Sequence, residues 1–299
     1  MFKYESIMEL VNAADHADKK ISTLVLRDHA ESMGKSELEI YEKMELDFMV
    51  MRGSVKEGLD KNLRSMSGLT GGEGYLMNEY AGKGKSLCGD FVSKAMARSL
   101  AVAGCNAAMG RIVATPTAGS CGILPGCLIS MCDEKGIPEK DVIMSMFTAG
   151  AFGIVIASRA SIAGASGGCQ AECGSAAAMT AAALTELMGG TPMQCADACA
   201  IAIANQLGLV CDLVAVLVEI PCIKRNAGGV VIALSSADMA LAGVSPKIPV
   251  DECLDAMKKV GDALPASLKE TAGGGLAATP TGRRLQKQVF GKISSDAEV

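Results

Sequence analysis

The chain of 299 residues has a formal net charge of −5, and 49% of its residues are hydrophobic. An acidic chain lacks the basic surface that nucleic acids require, and 3% aromatic residues without Trp argue against stacking platforms for bases or sugars. The apolar residues are mostly Ala, Met, Val, Ile and Leu, which together with 34 Gly suit closely packed helices. We therefore expect an all-α protein, a compact bundle of buried Ala-, Gly- and Met-rich helices with its active site on loops.

The first 66 residues are charged and have a helical pattern. Ser36 and Glu39 form a capping-box sequence. The apolar residues that follow recur at spacings of three and four: Tyr41, Met44, Phe48, Met51, Val55 and Leu59. We expect a charged helical arm over 1–66 and a helical catalytic domain over 67–299, which together form one continuous structural unit.

Charge becomes sparse after residue 90, and helix starts recur in this part of the chain. Pro138 can occupy a first helical position, Thr191 to Gln194 combine a cap, a proline and a capping Gln, and Asp251 begins an amphipathic pattern. The run GGVVIALSS at 228–236 is compatible with a strand or a helix. The Gly-rich tail from Gly273 predicts a flexible turn followed by a short helix.

Two apolar runs test whether the chain crosses a membrane. The uncharged run 112–132 contains two prolines and three glycines, which would break a spanning helix. The run 201–223 carries Asp212, Glu219 and Pro221. The first residues, MFKYESIMELV, show no basic segment followed by an apolar one, so no signal peptide is expected. We expect a soluble cytoplasmic protein with no membrane partner.

The twelve cysteines are the main candidates for chemistry, since the two histidines, His16 and His29, fit an exposed helical arm better than a catalytic role. The chain has no CxxC pair, which excludes a zinc ribbon or a ferredoxin motif. It does have two CxxxC pairs, Cys169 with Cys173 and Cys195 with Cys199. The pairs could form a four-thiolate cage on two helices. A packing role in Ala-rich interfaces is favoured for Cys173, Cys195 and Cys199.

Three cysteines have a different local context, because each lies beside loop-forming or helix-breaking residues. Cys169 follows two glycines, Cys211 lies in LVCD, and Cys222 directly follows Pro221. Cysteines at the ends of elements can converge from distant parts of a chain. Local context alone leaves metal binding and packing equally open for them.

Polar residues also interrupt the apolar sequence. The segment 114–126, ATPTAGSCGILPG, places Thr115, Thr117 and Ser120 among Gly and Pro. Such a loop either exposes backbone N–H groups that hold a carboxylate or a phosphate, or is a tight connection between helices. After Cys222, Lys224 and Arg225 need partners if they are buried. Their partners would be carboxylates such as Glu172 or Glu219, or an anionic substrate.

Several longer runs have a specific resemblance, among them GKSLCGDF, NAAMGRIVATPTAGSCGILPG, SGGCQAECGSA and LGLVCDLVAVLVEIPCIKRNA. In this order they resemble the alpha chain of iron–sulfur L-serine dehydratase, an L-serine ammonia-lyase, essentially from end to end. The resemblance implies a [4Fe–4S] cluster held by Cys169, Cys211 and Cys222. With three thiolates, one iron is left free to act as a Lewis acid on the serine hydroxyl, and the products are pyruvate and ammonia.

The resemblance further implies a beta chain as partner in a heterodimer or larger assembly, and a general base that this partner supplies. For substrate binding we predict Thr115, Thr117 and Ser120 around the carboxylate, with Asn106 and Lys224 nearby. Pyridoxal phosphate is not expected: GGGL at 273–276 resembles its glycine loop, but the S-x-K-x-R-G lysine setting is absent.

The chain departs from the family pattern at two places. Gly104 and Cys105 replace a frequent Glu-Val pair, and Leu76 follows GGEGY where a basic residue is common. The alternative functions are an L-cysteine desulfidase-type lyase and a non-catalytic protein that binds metal, such as zinc, through its thiolates. A helical scaffold whose cysteines only pack is a further alternative.

Overall fold

The computed structural model describes residues 3–291, and this part of the chain is helical without a β-strand. The helices are α1 (Ile7–His16), α2 (Ile21–Met33), α3 (Glu37–Gly58), α4 (Glu73–Ala81), α5 (Gly89–Ala107), α6 (Ile123–Lys135), α7 (Glu139–Ala160), α8 (Gly164–Gly167), α9 (Ser175–Leu187), α10 (Pro192–Ala204), α11 (Cys222–Leu241), α12 (Val250–Ala263) and α13 (Pro280–Phe290). A π-helix, Gln170–Gly174, leads directly into α9. The prediction of an all-α fold is confirmed.

The predicted capping boxes are present at two helix starts. The Ser36 hydroxyl accepts a hydrogen bond from the Glu39 N–H, and the Glu39 carboxylate accepts one from the Ser36 N–H. Thr191 and Gln194 form the same reciprocal pair at the start of α10. Each pair satisfies backbone N–H groups that have no partner within the helix, and so fixes where the helix begins.

Other predicted helix starts differ from the structure by one residue, and two segments have a different conformation from the one predicted or left open. Pro138 precedes α7 as its N-cap instead of occupying its first position, and α12 begins one residue before Asp251. The ambiguous run 228–236 lies inside α11 and is helical. The segment 273–276 packs against Asp212 instead of forming the predicted flexible turn, and α13 follows it as the expected short helix.

The core is built around α9, which packs against α7, α10 and α11. Half of its buried side chains are alanines, whose small size allows the neighbouring helices to approach closely. The N-terminal helices join the same hydrophobic core, to which Ile7, Val25 and Phe48 contribute. The helices of the predicted arm therefore share one continuous core with the later helices of the described chain. The domain boundary at residue 66 stays a prediction.

Helix α7 is long and apolar enough, by length and composition, to cross a membrane. Within the fold, however, 67% of its apolar window is buried by other parts of the protein. It packs against α2, α9 and α12. This arrangement is that of a central helix in a globular core.

Candidate functional site

The structure brings Cys169, Cys211 and Cys222 together in one small hydrophobic cluster. Their exposed fractions are 1%, 1% and 3%. They come from three different segments: the residue before the π-helix, an irregular segment after α10, and the first residue of α11. Three thiols that are separated in sequence thus line one buried place, although their role as ligands stays a prediction.

Gln170 fixes the backbone beside Cys169. Its N–H donates to the Leu209 carbonyl at 2.9 Å, and its side-chain oxygen accepts from the Gly208 N–H at 2.9 Å. Its amide nitrogen donates to the Met257 carbonyl at 2.9 Å. These bonds join the π-helix to the segment that leads into Cys211, so two of the thiols are positioned by one buried side chain. Single π-turns of this kind occur frequently at functional sites.

Cys211 is held by a segment that we call the C-terminal strap, residues 265–279. The Cys211 N–H donates to the Leu268 carbonyl at 2.9 Å, and the Glu270 N–H donates to the Cys211 carbonyl at 2.8 Å. The Leu276 N–H donates to the Asp212 carboxylate at 2.8 Å. Glu270 has a φ of 66°, in the left-handed region. Such strained positions persist where surrounding contacts enforce them, and they concentrate at functional sites.

Asn226 joins the third thiol to the loop 114–126. Its amide nitrogen donates to the carbonyls of Cys222 at 2.9 Å and Gly119 at 2.7 Å. Its amide oxygen accepts from the Gly122 N–H at 2.9 Å. The side chain is fully buried. The position of the loop relative to Cys222 is therefore fixed by one completely satisfied amide.

The loop 114–126 directs its hydroxyl groups inward. The Thr117 hydroxyl donates to the Glu172 carboxylate and lies 3.1 Å from the Ser120 hydroxyl, which donates to the Thr115 carbonyl at 3.3 Å. The Thr115 hydroxyl is buried and has no hydrogen-bond partner among the described residues. A Cβ atom at Gly119 would come within 2.5 Å of the Glu172 carboxylate, so any larger residue there would push this carboxylate aside.

Arg225 is the nearby cation. Its guanidinium donates to the Val210 carbonyl and to the Asp212 carboxylate, both at 2.8 Å, and it also faces the Cys169 sulfur. The hydrogen bond between Cys169 and Cys173 and the charge of Arg225 lower the pKa of Cys169. Burial raises the pKa of Cys211 to about 12 and also raises that of Cys222. Cys169 is therefore the thiol of the trio that ionises most readily, and the raised pKa values of the other two keep them protonated near neutral pH.

Cys173 lies next to Cys169, with 3.3 Å between the two sulfurs. Each thiolate of a [4Fe–4S] cluster binds a different iron, so two ligand sulfurs stand farther apart than atoms in van der Waals contact. Only one member of this pair can therefore be a cluster ligand in this arrangement. Cys169 is the member of the pair that the Arg225 guanidinium also faces.

The second CxxxC pair lies elsewhere. Cys195 and Cys199 are buried in the main hydrophobic core, whereas Cys169 and Cys173 belong to the smaller cluster. The four-thiolate cage that the spacing allowed is not formed. Within residues 3–291, no three His, Cys, Asp or Glu side chains are grouped closely enough to hold a single metal ion.

The residues present nevertheless fit an iron–sulfur cluster. The ligands of a cluster surround several irons, so they need not converge on one point as the ligands of a single ion do. Three buried thiols supply the preferred donor type, Arg225 supplies positive charge beside them, and Ile123 and Leu213 supply the apolar surroundings. Cys169, Cys211 and Cys222 are the residues that would hold the group.

Two predicted substrate residues have structural partners of their own. Lys224 is 59% exposed in its side chain and lies 3.6 Å from the Glu73 carboxylate. The Asn106 amide donates to the Ala118 carbonyl at 3.2 Å, which supports the loop 114–126. Their roles in substrate binding stay predictions. The suggested ion pairs with Glu172 or Glu219 are not formed: Lys224 pairs with Glu73, and Arg225 pairs with Asp212.

The sequence interpretation missed two acidic neighbours of the thiols. Asp212, 3% exposed, directly follows Cys211 and could have been noticed as a carboxylate in an apolar run. Glu270 gave no local signal, because it reaches the site only when the C-terminal strap docks on Cys211. Glu270 connects the strap to Cys211, and Asp212 connects the strap to Arg225.

The fold and the site define an all-helical protein with a buried centre lined by thiols, hydroxyl groups and carboxylates. The serine dehydratase alpha chain family matches residues 16–277. The chain is 47% identical over 288 residues to the probable L-serine dehydratase alpha chain of Bacillus subtilis, covering 96% of each chain. It is 42% identical over 279 residues to the L-serine dehydratase alpha chain of Peptoniphilus asaccharolyticus, covering 93% of this chain and 96% of the relative.

A third relative is longer. The chain is 38% identical over 283 residues to the L-serine dehydratase of Mycobacterium tuberculosis, which covers 92% of this chain but only 61% of the relative. These similarities confirm the resemblance seen in the sequence. The chain belongs to the serine dehydratase alpha chain family.

Proposed function

We propose that the chain is the alpha chain of an L-serine ammonia-lyase, which converts L-serine to pyruvate and ammonia and holds a [4Fe–4S] cluster through Cys169, Cys211 and Cys222. The observation that carries the proposal is the convergence of these three buried thiols beside the hydroxyl-bearing loop 114–126. The names of the relatives, all L-serine dehydratases, support the substrate.

When bound, the cluster supplies an iron that acts as a Lewis acid on the leaving hydroxyl group. The chain's own residues position the substrate beside it. The hydroxyls of Thr115 and Ser120 and the backbone of their loop bind the serine, and Asn226 holds that loop at a fixed distance from Cys222. The site excludes bulk water, which strengthens each of these polar contacts.

A second chain completes the site in this proposal. The Mycobacterium relative is named L-serine dehydratase without a chain designation, and the chain spans about three fifths of it, whereas the relatives named alpha chain are covered nearly completely. In this chain the two histidines, the usual general bases near neutral pH, are exposed on α1 and α2. We place the base that removes the α-proton on a beta chain, and the complex in the cytoplasm.

Anaerobic reconstitution tests the proposal. The purified chain is treated with iron and sulfide, its iron and labile sulfide are measured, and pyruvate formation from L-serine is followed with and without the beta chain. We expect about four irons per chain, broad visible absorption, and turnover only in the complex. Full turnover by the chain alone would contradict the assignment of the base, and absence of iron would contradict the cluster.

The same preparation separates the alternative functions. L-cysteine is offered in place of L-serine, and released sulfide is measured next to pyruvate. A cysteine desulfidase would give the larger kcat/KM with L-cysteine. A thiolate-based zinc protein would bind zinc stoichiometrically, remain colourless and turn over neither amino acid, and a purely structural set of cysteines would bind no metal at all.

A further inference from the structure

Glu172 lies at the centre of the site and has no role in the mechanism above. It belongs to the π-helix between Cys169 and Cys173, and its carboxylate contacts the backbone of the loop 114–126 at Gly119. Its negative charge acts on the sulfurs of all three proposed ligands. A largely buried carboxylate thus faces the same space as the thiol trio.

The partners of this carboxylate in the structure are neutral. It accepts a hydrogen bond from the Thr117 hydroxyl, and it lies against the Gly119 backbone. The only other charges that act on it are those of Glu270, which is negative, and Arg225, among the described residues. The nearest cation, Arg225, is committed to Asp212 and to the Val210 carbonyl. Among the described residues Glu172 forms no salt bridge. An ionised carboxylate that is largely removed from water is costly without an opposite charge beside it.

The charge of Glu172 determines which end of an amino acid it can receive. A substrate carboxylate placed against it would bring two negative charges together at low dielectric, whereas an ammonium group would form the missing ion pair. We infer that Glu172 binds the α-ammonium group of L-serine, with the Thr117 hydroxyl and the Gly119 backbone fixing the orientation of its carboxylate. This inference rests on the proposed function and adds the group that selects amino acids over hydroxy acids.

The inference also divides the work of the loop 114–126. Thr117 donates to Glu172, so it acts as a positioning residue and does not hold the substrate carboxylate. The Thr115 hydroxyl, which has no partner within residues 3–291, and the Ser120 hydroxyl are left for the substrate carboxylate. Glu172 then binds the ammonium group of the serine, and the hydroxyls of Thr115 and Ser120 bind its carboxylate.

The test uses L-alanine and L-lactate, which differ only by ammonium against hydroxyl at the α-carbon and lack the leaving group of serine. Their inhibition constants against L-serine turnover are measured in the reconstituted complex of wild type and of Glu172→Gln. Loss of one charged hydrogen bond predicts that L-alanine binds on the order of 10- to 100-fold more weakly, and that the KM for L-serine rises similarly. Binding of L-lactate should be unchanged or tighter.

Two further variants keep the test decisive. Glu172→Asp retains the charge but withdraws it by one methylene, so it should weaken L-alanine several-fold and leave L-lactate unaffected, even if Glu172→Gln fails to assemble. Glu186→Gln is the matched control, because Glu186 is also a buried carboxylate but lies at the far end of α9 and accepts from the Ser22 N–H. It should leave the preference between the two inhibitors unchanged.

The possible failures can be told apart. Equal weakening of both inhibitors by both Glu172 variants, or no weakening of either, would overturn the role of Glu172 while wild-type turnover of L-serine continued. Wild-type complex without any turnover would instead overturn the proposed function. In that case the affinities of the wild type and the variants for L-alanine and L-lactate, measured by calorimetry, still decide whether Glu172 recognises an ammonium group.

Discussion

The side-chain amide of Asn226 on α11 donates to the Gly119 carbonyl across the site, at 2.7 Å. Asn226→Ala would leave that carbonyl and the Gly122 N–H without their partner in a buried place. We expect a loss of roughly 2–4 kcal/mol in the free energy of unfolding, because several buried polar groups become unsatisfied together. Denaturant unfolding of the chain measures this loss.

The same substitution should also lower kcat/KM for L-serine, since it releases the loop that carries Thr115 and Ser120. Asn205→Ala is the control, because Asn205 is exposed and makes only a local hydrogen bond to the Ile201 carbonyl. It should change the free energy of unfolding by no more than about 0.5 kcal/mol. Equal effects of the two variants would show that Asn226 does not hold the loop.

The capping box of α10 gives a prediction about stability alone. Thr191→Ala removes the side chain that accepts from the Gln194 N–H and should lower the free energy of unfolding by about 1 kcal/mol. Neither the iron content nor the KM for L-serine should change, because α10 contributes packing residues to the core. Thr191→Ser, which keeps the hydroxyl, should restore most of the stability.

The fold was predictable because its signals are local. The Ser36–Glu39 and Thr191–Gln194 pairs mark helix starts within four residues, and no run alternates apolar and polar residues as a half-buried strand would. The run 228–236 is helical although it contains β-branched residues, which favour a strand. Packing of α11 against α5, α9 and α10 overrides that weak preference.

The site was predictable only in part. The resemblance to the family implied Cys169, Cys211 and Cys222, while their local context left metal binding and packing equally open. The sequence could not show that Thr117 meets Glu172, since the two residues are distant in sequence and come together only in the folded core. Lys224 and Arg225 are adjacent in sequence yet point in different directions, because successive residues of a helix are rotated by about 100°. Only Arg225 reaches the thiols.

The pairing of Arg225 with Asp212 predicts how the C-terminal strap is held. Arg225→Lys keeps the positive charge but loses the fork that reaches the Asp212 carboxylate and the Val210 carbonyl together. We expect faster proteolytic cleavage within residues 265–279 and faster loss of iron in air. Arg283→Lys, on the exposed surface of α13, is the control and should change neither rate. Unchanged cleavage in Arg225→Lys would contradict this role.

The thiols themselves give the sharpest prediction. Cys169→Ser, Cys211→Ser and Cys222→Ser should each abolish stable incorporation of iron, because a serine hydroxyl stays protonated near neutral pH and is a poor substitute for a thiolate. Cys173→Ser removes a sulfur only 3.3 Å from Cys169 and should retain iron, since the two cannot bind separate irons. Iron and labile sulfide are measured after anaerobic reconstitution, together with the visible absorption.

Cys199→Ser is the matched control for this series, because Cys199 is equally buried but belongs to the main core. It should lower stability, since it places a hydroxyl among apolar side chains, and still bind the full complement of iron. If Cys173→Ser lost iron while Cys169→Ser kept it, Cys173 and not Cys169 would be the ligand. If all the variants kept iron, the trio would not be its ligands, and the buried thiols would serve packing alone.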